Sequence, residues 1–535
     1  MDTIATFLVR AMVKAGVTTV YGLPGGDNVY VLDEIRKQGI EFVLVRNESS
    51  AFYMADTGNR LTGNLGVVLT TLGPGAANAF AGLAHAYLDR SPILMISAQT
   101  DGQLIGSHTH QVLDLQACFQ PVTKYSAQIE EDSAVATIEE ALSILQSGRP
   151  GPVHLGMSNS VARRPSPKTS IPEIKRTPAS PHRDDIENIN AILKGKEKPV
   201  ILAGLGLEPE GPYSALRAFA EKIRAPVIDT PKIKGAISSD HPLFAGTIGL
   251  THHDPVYSIL NEADCIVAIG FDVVELVKPW DQTQPLVWIA NWKNDDPRIP
   301  CEYEFVGNMS DLLSQLSKSG QSASLPTWGE TRMKKFVDEM RLTRIDDLRR
   351  DSNRILPQDL LTAIRENTPD DIIMTTDVGS HKIFYALNWP AKQPNAYFVS
   401  NGLSVMGFGL ASAIAAAQIT RRLTICITGD AGLAMVVGEL SLVTEQKLPL
   451  IIVVMNDSSM DLIRKAQIRN DKQIFGTEFS NPDFKLIAEA YNLDYVQVKS
   501  QTECGQIIQK TVKEKKPVII DAMIDPRGYP TFVNN

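Results

Sequence analysis

Two aspartates, Asp430 and Asp457, carry the first chemical signal, because each follows an apolar run. Leu423–Thr428 reads as a strand, followed by Gly429-Asp430-Ala431-Gly432 and helix-like spacing from about Met435 to Gln446. The next run, Leu450–Met455, ends in Asn456-Asp457-Ser458-Ser459. In an open parallel sheet, ligands gather beyond the carboxyl ends of strands. Two hard oxygen donors on successive ends could hold Mg²⁺ or Ca²⁺. The glycines beside Asp430 let backbone approach a phosphate, and a helix start favours its charge. One corner could therefore grip a metal diphosphate. The same residues would also serve as a tight strand–helix turn and a loop cap.

A complementary set lies in the first third. Val43-Leu44-Val45-Arg46-Asn47-Glu48 ends a strand in a carboxylate, and Ser49–Thr62 continues as a helix. The ordinary role of Glu48 there is helix-start charge. Strand Gly66–Leu69 runs into Thr71-Leu72-Gly73-Pro74-Gly75-Ala76-Ala77-Asn78, a rigid turn with Asn78 near a helix start. Gly22-Leu23-Pro24-Gly25-Gly26 is another Gly/Pro loop after a strand. His108 and His110 stand beside Gln111 on a loop with Gly106 and Ser107. They read either as a solvated loop or as a site entrance with a proton donor. Arg464-Lys465 reads as a solvated helix face or as an anion-binding pair.

The elements that must position these residues alternate in type. Apolar runs such as Thr18–Tyr21, Phe42–Val45 and Ile93–Ser97 alternate with helical spacing. Runs without period-2 alternation suit strands buried on both faces, and the alternation implies parallel sheets covered by helices. The middle of the chain offers Pro199–Gly204, Pro226–Asp229, Cys265–Gly270 and Leu286–Ile289 as strands; the last third adds Ile372–Thr375 and Pro517–Met523. A proline-rich stretch at 163–185 and a polar one at 317–339 read as linkers. They leave three α/β pieces, 1–162, 186–316 and 340–535, each expected to be a doubly wound parallel-sheet domain.

The chain has 535 residues, 43% apolar and 21% charged, which is a globular composition. Its net charge of −9 excludes a general nucleic-acid or anionic-membrane surface. Five scattered cysteines form no metal motif and fit a reducing compartment. The N-terminus lacks a signal-peptide pattern and no apolar run suits a membrane span, so a cytoplasmic protein is expected. Gly204-Leu205-Gly206-Leu207-Glu208-Pro209 begins a dinucleotide fingerprint and fails to complete it.

Taken in order, GLPGG, VRNES, LGPGAANA, HQVLD…FQPVTKYS, DVGSH, SNGLSVMGFGL and GDAG…MNDSS resemble the thiamine-diphosphate (ThDP) enzymes of the acetohydroxyacid synthase and 2-oxoacid decarboxylase group. The likeness spans about Thr3 to Asp521. It is nearest to the catabolic acetolactate synthases, on HQVLDLQACFQPVTKYS, Asn456-Asp457-Ser458 and the IGFD of the middle piece. The resemblance implies pyrimidine-binding, central and diphosphate-binding domains. By position it implies Mg²⁺ on Asp430, Asp457 and the Ser459 carbonyl. Gly26, Gly429, Ala431 and Gly432, with Val378, Gly379, Ser380 and His381, would line the cofactor. Met406 would wedge it into a V shape and the Ser404 carbonyl would meet the aminopyrimidine. Glu48 would hydrogen-bond the pyrimidine N1′ and share its proton, and Pro74 and Asn78 would flank the ring. Gln111 would face the reacting carbon, with His110 beside it.

The implied reaction is decarboxylation of a 2-oxoacid, pyruvate first, with ligation to a second 2-oxoacid to give 2-acetolactate. The alternatives are release of an aldehyde, or ligation of another donor and acceptor. The family joins its half-sites across subunits, which implies a homodimer or homotetramer. Three departures matter. Ala431 and Asp457 replace the family's usual glycine and asparagine. Gly270–Leu276 lacks the arginine with which the biosynthetic enzymes meet the acceptor carboxylate, and their tryptophan falls at about Ala466. Leu250–Asp254 matches an FAD site loosely, so FAD is not expected.

Overall fold

The computed structural model describes residues 2–107, 110–171, 178–207, 211–319, 328, 336 and 353–529. Three six-stranded sheets organise them. The first comprises β1 (Thr19–Gly22), β2 (Glu41–Leu44), β3 (Gly66–Thr70), β4 (Ile93–Ala98), β5 (Tyr125–Gln128) and β6 (Val153–Met157), in the order β2-β1-β3-β4-β6-β5. The second comprises β7 (Pro199–Ala203), β8 (Val227–Asp229), β9 (Phe244–Thr247), β10 (Cys265–Ile269), β11 (Leu286–Ala290) and β12 (Tyr303–Val306), in the order β12-β11-β10-β7-β8-β9. The third comprises β13 (Ile373–Thr376), β14 (Tyr397–Val399), β15 (Thr424–Gly429), β16 (Leu450–Asn456), β17 (Asp494–Val498) and β18 (Val518–Met523), in the order β14-β13-β15-β16-β18-β17. All pairings within the sheets are parallel and helices are interleaved, so the fold is α/β.

The sheets form where the sequence is apolar without alternation. β3, β4 and β16 are buried at every position, as strands covered on both faces must be. The first and third sheets share one strand order. The middle sheet, read from β9 to β12, has the order 3-2-1-4-5-6 of dinucleotide-binding folds.

The chain packs as two compact units. One contains Met1–Thr177, Gly402–Ile419 and Val436–Leu442; the other contains Pro178–Asn401, Thr420–Met435 and Val443–Asn535. The first unit captures the helix Phe408–Thr420, whose alanine-rich sequence is buried almost all round. Phe408 lies 5.9 Å from the Tyr53 ring, and the Thr57 and Ser412 hydroxyls meet at 2.7 Å.

Two local expectations change. The spacing suggested one helix from about Met435 to Gln446. Instead a helix spans Asp430–Met435, a 3-10 turn covers Val437–Glu439 and a second helix spans Leu440–Glu445. The break coincides with the passage of Val436–Leu442 into the first unit. A helix also runs over Arg183–Leu193, beginning inside the proline-rich stretch. Residues 172–177 of that stretch, and most of 317–339, lie outside the described residues. Among those described, no helix is long and apolar enough to cross a membrane.

Candidate active site

The candidate residues fall into two half-sites, one in each unit. In the first unit, Glu48 opens the helix Glu48–Thr62 after β2, and Asn47 caps it by accepting the Ser49 N–H at 2.9 Å. Glu48 is 7% exposed. Asn78 comes from the turn after β3, and its amide donates to Glu48 Oε2. Ser49 Oγ donates to the Asn78 carbonyl at 2.9 Å, so the two segments are tied twice. Pro74 begins the short helix Pro74–Asn78, where its missing N–H costs nothing. Gln111 lies against that turn: a Cβ on Gly73 would stand 2.9 Å from its Cβ. Glu48, Pro74, Asn78 and Gln111 thus share one corner.

The other first-unit candidates are dispersed. Gly26 is exposed, and its carbonyl accepts from Asn159 Nδ2 at 2.9 Å. Asp27 beside it accepts from Thr71 Oγ1 and from the Leu72 N–H at 2.8 Å, which docks this loop on the Asn78 turn. His110 is exposed, and His108 lies outside the described residues. Ser404 and Met406 sit on a segment held by Leu403 N–H to Asp89 at 3.3 Å. Gln111 and Ser404 adopt φ of +61° and +57°, conformations that non-glycine residues avoid unless their surroundings impose them. Ser458, between Asp457 and Ser459, does the same at +57°.

In the second unit, β13 leads to Asp377-Val378-Gly379, and the helix Ser380–Asn388 follows. Asp377 accepts the Val378 N–H at 2.8 Å and the Thr428 hydroxyl at 3.0 Å, pinning this turn to the end of β15. The His381 ring lies between two bare glycines: a Cβ would stand 2.6 Å from it at Gly379 and 3.1 Å at Gly429. Burial lowers the His381 pKa to about 4, so the ring is neutral, and its Nε2 is buried without a partner. The Ser380 hydroxyl is engaged, donating to Asp461 at 2.7 Å.

Asp430 and Asp457 meet at the adjacent ends of β15 and β16. Asp430 accepts the Ala431 N–H, the Ser458 N–H and Asn481 Nδ2, each at 2.8 Å. Asp457 accepts the Ser459 N–H at 3.0 Å. Burial, then the charges of Asp430 and Asp461, push the Asp457 pKa up to about 7. A buried and a half-buried carboxylate in repulsion are relieved by a divalent cation between them. Ser459 Oγ is buried without a partner as well. Among the described residues no cage of three or more Asp, Glu, His or Cys groups exists. A two-carboxylate pair suits Mg²⁺, which completes its shell with phosphate oxygens and water. The bare glycines, the unpartnered His381 nitrogen and the carboxylate pair therefore fit a metal diphosphate.

Comparison with known proteins identifies the scaffold. The chain matches the thiamine pyrophosphate enzyme N-terminal TPP binding domain over residues 2–118, the central domain over 186–316 and the C-terminal TPP binding domain over 377–522. The chain belongs to the thiamine pyrophosphate enzyme family. Its relatives are acetolactate synthases. It is 28% identical to the acetolactate synthase isozyme 3 large subunit of Escherichia coli, over 97% of this chain and 94% of that one. Identity is 29% to the probable acetolactate synthase large subunit of Methanocaldococcus jannaschii, over 98% and 92%. It is 26% to the acetolactate synthase of Bacillus subtilis, over 97% and 93%. This TPP enzyme is thus acetolactate synthase-like.

Its sequence left several site residues unmarked. Asn481 Nδ2 donates to Asp430, to Asn456 Oδ1 at 2.9 Å and to Ser458 Oγ at 3.2 Å, and no spacing announces it. Glu439, 1% exposed, accepts the Arg46 N–H at 3.0 Å and so fixes the chain just before Glu48. Asp377 was passed over too, although it opens DVGSH, whose other four residues were assigned.

The middle domain of this TPP enzyme closes its own crevice. β7 and β10 flank the point where strand order reverses, the usual place for a dinucleotide phosphate. There Glu275 accepts the Leu205 N–H at 3.1 Å, the Asp272 N–H at 3.2 Å and the Thr230 hydroxyl. The Glu275 carboxyl group, which burial keeps protonated toward pH 8, thus occupies the donors a phosphate would need.

Proposed function

We propose that this enzyme decarboxylates pyruvate and joins the remaining two-carbon unit to a second pyruvate, releasing carbon dioxide and 2-acetolactate, with ThDP and Mg²⁺ as cofactors. The observation that carries the reading is the pairing of Asp430 with Asp457 at adjacent strand ends beside the bare glycines around His381. The acetolactate synthase relatives support the product. ThDP supplies the carbon nucleophile and the electron sink for decarboxylation. Asp430, Asp457 and the Ser459 carbonyl hold Mg²⁺. Val378, Gly379 and His381 line the diphosphate, and neutral His381 presents its nitrogen without adding charge. Glu48 shares a proton with the pyrimidine N1′; Asn78 holds its Oε2 and leaves Oε1 for that proton. Ser404 and Met406 orient the ring, and Gln111 and His110 stand where the acceptor enters.

The catabolic variety is favoured by the middle domain. Residues 270–276 present the Glu275 carboxylate where the biosynthetic enzymes present an arginine, and Glu275 also argues against FAD. We further infer a homodimer or homotetramer and domain limits at 1–162, 186–316 and 340–535. Mass spectrometry of the products formed from pyruvate with ThDP and Mg²⁺ tests the reading. Acetolactate is expected, with no marked preference for 2-oxobutyrate when the two oxoacids compete. Acetaldehyde as the main product would refute the ligation.

A further inference from the structure

The third sheet carries a second feature beside the carboxylate pair. β16 lies between β15 and β18, so its end faces the cation pair on one side and the segment after β18 on the other. On that far side a cleft of about 610 Å³ opens, and Arg354, Arg464 and Arg527 line it together with Asp457 and Ser459. Two backbone bridges build its walls. Ile355 N–H donates to Met523 at 2.7 Å and Asp525 N–H to Ile355 at 2.9 Å, which sets Arg354 and Arg527 on one framework. Met460 N–H donates to Thr477 at 2.7 Å, fixing the wall shared with the cation pair.

The guanidinium groups of Arg354 and Arg464 are only partly satisfied by the protein. Arg527 is paired with Asp525, its Nε 2.8 Å from Oδ1. Arg354 donates from Nη1 to the Ile524 carbonyl at 2.7 Å. Arg464 stands 3.8 Å from Asp461 Oδ1, beyond hydrogen-bond distance, while Lys465 at 2.8 Å and Ser380 at 2.7 Å both engage Oδ2. Each guanidinium offers five donors in a planar fork that matches a carboxylate or a phosphate. Three carboxylates share the lining, but Asp525 is taken by Arg527 and Asp457 belongs to the cation pair, which leaves Glu478 as the lining acceptor for Arg354 and Arg464.

We propose that this cleft binds a small oxyanion, gripped by Arg354 and Arg464 with Arg527 at its edge, next to the metal diphosphate site. Its chemistry fits either the carboxylate of a 2-oxoacid or free phosphate. The first source rests on the functional reading above; binding itself does not. The full-length chain, saturated with ThDP and Mg²⁺ so that the diphosphate site is filled, is titrated calorimetrically with inorganic phosphate and separately with oxamate, an unreactive pyruvate isostere. Wild type is compared with Arg464→Met and Arg354→Met, which keep an unbranched apolar stem, and melting curves verify folding. Losing a charge-assisted contact should weaken probe binding roughly ten-fold or more in both variants. No binding by wild type, or equal affinity in wild type and the folded variants, overturns the proposal. The sources separate kinetically. Oxamate competing with pyruvate, with a raised KM in Arg464→Met, assigns the cleft to substrate. Loss of phosphate binding at unchanged KM assigns it to free phosphate. A chain inactive on pyruvate would sink the functional reading, yet the phosphate titration would still decide the site.

Discussion

At the scale of single residues, the proposed function assigns cofactor binding to Asp430 and proton transfer to Glu48, and each assignment can be tested alone. Asp430 combines a proposed cation contact with three accepted hydrogen bonds, so Asp430→Ala removes both. Contacts of this kind contribute about 1.5–3 kcal/mol each, so ThDP affinity measured calorimetrically in Mg²⁺ should fall at least ten-fold. Glu48→Gln keeps the acceptor for Asn78 but cannot share a proton in the same way. It should retain ThDP and lose exchange of the cofactor C2 hydrogen, followed by NMR after acid quench; wild-type exchange would refute the role. Glycines give a sharper contrast. A Cβ on Gly432 would lie 2.4 Å from Asp377 Oδ2, a carboxylate held at both oxygens, whereas one on Gly26 meets nothing within 4 Å. Gly432→Ala should therefore lower stability by about 1–3 kcal/mol in denaturant unfolding, and Gly26→Ala should unfold like wild type.

At the scale of elements, the strands that the sequence revealed are those with unbroken apolar runs. Tyr125–Gln128, Phe244–Thr247, Tyr303–Val306, Tyr397–Val399 and Asp494–Val498 escaped notice, and all five lie at sheet edges. An edge strand has one neighbour and is often half exposed, so its pattern weakens: β12 and β17 each bury a single residue fully. Val153–Met157 is central and fully buried, but His154 and Gly156 interrupt its run. His154 is accommodated because Ser97 and Ser126 satisfy its two ring nitrogens at 2.8 and 2.9 Å. The turn after β10 supports a pH prediction. Burial pushes the Glu275 pKa up to about 8, against roughly 4.3 when unfolded. The folded chain then keeps a proton that the unfolded chain has lost, so this group's stability contribution is full below pH ~4.3 and falls as pH rises toward 8. Glu275→Gln should remove that dependence, so the Tm difference between wild type and variant should shift in the variant's favour from pH 5 to pH 8. A constant difference would show that Glu275 is charged throughout.

At the scale of the molecule, two features favour assembly. Each unit carries its own half-site, and the second exposes apolar side chains beside its half, with Ile463 51% and Phe475 84% exposed. Sedimentation should show a dimer or larger species, Phe475→Asp should shift it toward monomer, and ThDP retention should fall in parallel. Purely monomeric wild type with full ThDP retention would contradict the assembly. What the sequence determined by itself was local. Apolar runs mark where buried strands end; Asp430 and Asp457 follow those ends directly and Glu48 opens the helix after one, so the α/β class and the position of these carboxylates could be read from order alone. Partnership across the chain was decided by tertiary structure. Asn481 reaches Asp430 from 51 residues away and Asn78 reaches Glu48 from 30, and no periodicity encodes either contact. The helix Phe408–Thr420 shows the same limit: apolar on every side, it carries no stripe to say which core receives it, and it packs against Tyr53 and Thr57 in the first unit.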